Sequence, residues 1–126
     1  MAYTETEQST GPRFLVNLPV RAEWDEETTG KHVVAEGTTE NVGPEGALVH
    51  LQRELPDVGS RVQLVVLSED GMKLQVVTEV LRVERNPGHP LAALQLLDAA
   101  DEWRGLVWEA AATRARQQAE DLSEAA

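Results

Sequence analysis

The side chains able to do chemistry are few and widely spaced. The three histidines, His32, His50 and His89, stand singly, without the His-x-x-x-His spacing that brings two imidazoles together on one helix face for a metal. His50 alternates with Val49 and Leu51, so it is expected to face solvent from a strand. Asp25, Glu26 and Glu27 cluster where the sequence reads as a solvated turn. Cysteine is absent, which removes thiol nucleophiles, disulfides and thiolate metal sites. No hydrolase nucleophile motif and no Gly-x-x-x-x-Gly-Lys phosphate loop is present. The pattern predicts a binding protein rather than an enzyme, with no metal and no cofactor.

One spacing is more informative. In the run from Gly37 to Val49, Asn41, Gly43 and Gly46 sit between two strand-like segments. Glycine reaches φ > 0 without steric cost and asparagine tolerates it, so these residues are expected to shape a tight turn. Such a turn also presents backbone N–H groups and an amide to a small ligand. The chain carries 11 basic and 22 acidic residues, a formal net charge of −11. That surface repels nucleic acid and anionic lipid, and a dianionic ligand would need cations gathered locally. In the first third, Arg13, Arg21 and Lys31 are the candidates.

The elements that must position these residues follow from period. Residues 1–11 are polar and aperiodic and read as a flexible tail. Phe14, Val16, Leu18, Val20, Ala22 and Trp24 alternate on one strand face, with Pro19 marking an edge or bulge. Further strands are predicted from about His32 to Glu40, from Ala47 to Gln52, around Val62, Leu64 and Val66, along Met72 to Val80, and from Leu91 to Leu97. Glu69-Asp70-Gly71 and Asn86-Pro87-Gly88 supply turns between them. The apolar runs are far too short to span a membrane, and without a basic start followed by an apolar run a signal peptide is not expected. A cytoplasmic protein is the expectation.

At Asp98 the period changes. Asp98 or Asp101 is expected to cap a helix, which residues 99–122 would continue for about 36 Å. Trp103, Leu106, Val107 and Ala110 form one apolar stripe, expected to cover the sheet. Trp108, Ala111, Ala112, Ala115, Ala119 and Leu122 form a second. A lone amphipathic helix needs only one stripe; the second reads either as helix-favouring alanines or as an interaction face for a partner protein or a homodimer. Trp24, Trp103 and Trp108 are expected to anchor the core or an interface.

These features resemble the PilZ domain, a bacterial module known as a cyclic di-GMP receptor. Its signature (Asp or Asn)-x-Ser-x-x-Gly is met at Asn41 and Gly46, with Gly43 in place of the serine. Its Arg-x-x-x-Arg signature is met at Arg13, with Ser9 in place of the first arginine. Gly59-Ser60-Arg61-Val62-Gln63-Leu64 and Val80-Leu81-Arg82-Val83 are family-like, and the resemblance spans about residues 12–110. It implies a mainly β fold: a six-stranded antiparallel PilZ-like β-barrel over 12–98, a long C-terminal α-helix over 99–122 packing on it, and a tail at 123–126. By resemblance, Arg13, Asn41, Gly43 and Gly46 would line the nucleotide site. Arg13 would grip phosphate or base, Asn41 would accept from a guanine N–H, and Gly46 would allow close approach. The altered positions imply weak or no cyclic di-GMP binding and a regulatory adaptor working through protein–protein contact. The alternative is a cyclic di-GMP receptor that switches partner binding in motility or signalling.

Overall fold

A computed structural model describes residues 12–125 and the side chains of residues 12–119. The expected tail at 1–11, Ser9 included, and the Leu122 side chain lie outside the described residues. Six strands form, β1 alternating in burial as its sequence alternates in polarity: β1 (Pro19–Asp25), β2 (His32–Gly43), β3 (Gly46–Leu51), β4 (Arg61–Ser68), β5 (Gly71–Glu84) and β6 (Leu91–Leu96). They close a barrel in the order β1-β2-β3-β6-β5-β4. Every pairing is antiparallel, and β1 against β4 completes the ring. Closure leaves no unpaired sheet edge to recruit a foreign strand. Inside lie Val20, Ala22 and Trp24 from β1, Val49 and Leu51 from β3, and partners from the other strands.

The strand expected from Phe14 onward is divided. Pro19 has no N–H to give a ladder and stands first in β1, as proline must at a strand start. Residues 12–18 instead form a strap across β2. Phe14 and Val42 exchange both backbone hydrogen bonds, at 2.9 and 3.0 Å. Thr39 Oγ1 accepts from the Leu18 N–H at 2.8 Å and donates to the Val16 carbonyl, while Asn17 Nδ2 donates to the Thr39 carbonyl at 2.7 Å. Side chains thus supply the bonds a regular ladder would have made. The β2 register also shifts between Thr39 and Asn41; such bulges bend a strand and re-aim its side chains.

The helical segment covers one mouth of the barrel. It consists of α1 (Ala100–Trp103), a π-helical turn at Arg104–Trp108, and α2 (Glu109–Ala125), so the backbone stays helical beyond Leu122. Neither aspartate caps it. The residue before α1 is Ala99, at φ 55°, and no side chain bonds the helix start. Asp98 Oδ1 accepts from the Val77 N–H at 2.8 Å, which spends it on β5. The two predicted stripes are also redrawn. Trp103, Val107 and Ala111 are buried, whereas Leu106 is 44% exposed and Ala110 is exposed. A π-turn takes more residues per revolution than an α-helix, which keeps positions four apart over one line of the core.

Candidate functional site

The outer face of the barrel brings the motif residues together. Val42, Val49, Ala92 and Leu94 belong to the core and Val83 packs against it, so their neighbours Asn41, Leu48, Ala93 and Arg82 face outward by strand alternation, the β5 register having shifted between Val80 and Arg82. Register places these four in one row: Asn41 opposite Leu48, Leu48 opposite Ala93, and Ala93 opposite Arg82. Leu48 and Ala93 are half-buried and make an apolar shelf between two polar ends.

Arg13 reaches the Asn41 end from the strap. Its Nε donates to Asn41 Oδ1 at 2.7 Å. The strap is held from above by the helix, where Trp108 Nε1 donates to the Pro12 carbonyl at 2.9 Å and the Trp108 ring lies 6.1 Å from that of Phe14. Partial burial, and then the positive charge of Arg82, hold the Arg13 guanidinium below the usual arginine range. Arg82 Nη2 donates to Glu84 Oε2 at 3.1 Å. The site therefore has a cation that the motif reading did not include. Arg21 and Lys31 do not join the row: Arg21 lies on β1 paired with Glu23 at 2.9 Å, and Lys31 precedes β2.

The glycines act differently from the turn reading. Neither Gly37 nor Gly46 adopts a positive φ; a Cβ at Gly46 would collide with the Leu94 carbonyl, and one at Gly37 with the His50 carbonyl. The close approach that Gly46 permits is that of β6. Gly43 pairs with Gly46 across the hairpin, and its carbonyl accepts from buried Trp103 Nε1 at 2.8 Å. Glycine at 43 brings no hydroxyl to the surface.

Two histidines read as solitary are neighbours. The rings of His50 and His89 stack with centroids 4.4 Å apart. His50 Nδ1 lies 2.9 Å from the Pro90 carbonyl, and His89 Nε2 lies 3.2 Å from Glu40 Oε1. His50 does face outward, but against this stack rather than open water. It stands opposite Leu91, one row from Leu48 and Ala93. The β5–β6 turn that carries His89 is what joins them, a placement that separation in sequence conceals. Among the described residues no group of three or more His, Asp or Glu side chains could hold a metal ion.

The proposed interaction stripe is partly consumed within the molecule. Trp108 packs on the core and ties down the strap, and Ala111 is buried. Ala112 and Ala115 remain half-buried and Ala119 exposed. No described helix is long and apolar enough to cross a membrane.

No protein-family model matches the chain, and no curated protein matches it in sequence. Solved structures do. It is similar to the PilZ domain with c-di-GMP of YcgR from Escherichia coli, with TM-score 0.65 and 12% identity over 90% of this chain and 98% of that one. It is similar to the Bacillus subtilis inhibitor of motility MotI/DgrA, with TM-score 0.61 and 18% identity over 90% of this chain and 52% of that one. The PilZ domain of CeSA from a cellulose-synthesizing bacterium gives TM-score 0.51 and 17% identity over 76% and 95%. The chain spans about half of the MotI structure and nearly all of the isolated YcgR domain. Strand order, strap and covering helix are those of a closed antiparallel barrel with PilZ-like neighbours, and the chain has the PilZ-domain fold.

Proposed function

We propose that this chain is a PilZ-type regulatory module of the bacterial cytoplasm, non-catalytic, that acts through protein–protein contact and holds cyclic di-GMP only weakly. The observation that carries the reading is the Arg13–Asn41 contact on the outer face, beside a Gly43 that has no hydroxyl. Two motif residues are assembled where a nucleotide could meet them, and a third lacks its donor. Each charge-assisted hydrogen bond contributes about 1.5–3 kcal/mol, so losing one weakens binding by roughly ten- to a hundredfold. The net charge of −11 opposes a dianion further. The similar YcgR domain was solved with c-di-GMP and MotI is named for motility inhibition, which supports a role in signalling or motility. The receptor reading is the second one, favoured by the same Arg13–Asn41 contact.

Calorimetric titration of the wild-type chain and of Ser9→Arg/Gly43→Ser with cyclic di-GMP tests the proposal. The wild type is expected to bind weakly and the double variant at least about tenfold more tightly. Submicromolar binding by the wild type would make this a receptor. A double variant no tighter than wild type would detach the motif departures from the weakness.

A further inference from the structure

We infer that Arg82, on β5, supplies the second guanidinium of the outer-face site, opposite Arg13 across the shelf of Leu48 and Ala93, and that this pair carries the grip on a cyclic purine dinucleotide. The inference rests on the weak-nucleotide half of the function proposed above and names the residue on which that binding depends.

The register makes the argument. Asn41, Leu48, Ala93 and Arg82 stand side by side on four adjacent strands. Three strand spacings separate the row's ends by roughly 14 Å at the backbone, and both arginines are long enough to lean over the shelf between. Each planar guanidinium can take a phosphate bidentately or stack on a base. Half-buried Leu48 and Ala93 offer apolar surface for a purine to lie against.

The two cations are electrically aware of each other, since the Arg82 charge depresses the Arg13 guanidinium. Mutual repulsion of this kind is relieved by an anion between them. Arg82 is held to Glu84 in an ion pair whose side chains are 45% and 38% exposed. Exposed pairs stabilise little, so a phosphate can compete with Glu84 for this guanidinium. Glu84 on the same strand and Glu40 beside His89 oppose the ligand, which keeps the affinity low and salt-sensitive. A ligand with one phosphate meets one arginine; a cyclic dinucleotide, with two phosphates and two planar bases, meets both.

The test is titration of the full chain at low salt with cyclic di-GMP, with GMP and with inorganic phosphate. Wild type is compared with Arg13→Gln, Arg82→Gln, Arg82→Lys and, as a control off the row, Arg21→Gln, each with its thermal melt recorded. The expected result is a loss of about tenfold or more for cyclic di-GMP with Arg13→Gln and Arg82→Gln. Arg82→Lys should fall between, keeping charge without the fork, and Arg21→Gln should match wild type. GMP and phosphate should bind far more weakly than the dinucleotide. Equal affinity of Arg82→Gln and wild type overturns the inference and leaves the weak-binding reading standing. Silence of the wild type at millimolar nucleotide overturns the inference and that half of the function, while its protein-contact half is untouched. Equal retention of GMP and dinucleotide overturns the two-cation assignment.

Discussion

At the scale of single residues, Gly46 shows how a motif position can answer to packing. Its missing Cβ is what lets β6 lie against β3, because an added methyl group would meet the rigid Leu94 carbonyl rather than a movable side chain. Gly46→Ala is expected to lower stability by about 1–3 kcal/mol in urea unfolding, the usual cost of overpacking; an unchanged midpoint would return the glycine to the ligand. His32 gives a pH signature. Asp25 Oδ1 at 2.8 Å and Glu23 Oε1 at 3.2 Å hold its ring, and those hydrogen bonds, Asp25 first, raise its pKa above the ordinary histidine value of 6.5. A raised folded-state value means the proton stabilises the fold. The stability difference between wild type and His32→Gln should be complete below pH 6.5 and fade as pH rises through the folded-state value. A difference that grows with pH would contradict the assignment.

At the scale of elements, the strap and the helix form one device. Trp108 holds Pro12 and Phe14, and this places Arg13 on Asn41. Trp108→Phe keeps an aromatic ring and removes the N–H. Amide exchange at Phe14 and Leu18 should then accelerate while core strand amides stay protected; unchanged exchange at both would show that the strap is held by β2 alone. Strand positions were legible in the sequence because burial repeats every second residue, as in Val20, Ala22 and Trp24. The strap was not, since Phe14, Val16 and Leu18 continue that alternation and only Pro19 and the Thr39 side chain interrupt it. The helix face differs for a comparable reason: an α-helical period is assumed for a segment that a π-turn at Arg104–Trp108 interrupts, and Ala111 changes stripes. Asp98 looked like a cap by position, yet its carboxylate is taken by Val77, a contact with no local signal.

At the scale of the whole molecule, a closed barrel presents two candidate surfaces, the outer row and the helix. Asn41 and Arg13 could be named from a motif, because their spacing survives. Arg82 and the His50–His89 stack could not, because barrel closure rather than sequence distance sets them beside the site. The helix is the expected protein-contact surface. Ala112→Glu/Ala115→Glu should abolish partner capture from a bacterial lysate, or shift sedimentation if the partner is a second copy, while leaving the melt and nucleotide titration unchanged. Unaltered capture and sedimentation would move the contact elsewhere.

NMR titration of the labelled chain with cyclic di-GMP tests most directly whether the outer face of this PilZ fold carries the proposed weak nucleotide site. The account predicts fast-exchange shifts concentrated at Arg13, Asn41, Leu48, Ala93 and Arg82, saturating only well above micromolar ligand. Shifts centred on the helix or on β1, or none at millimolar ligand, would contradict it.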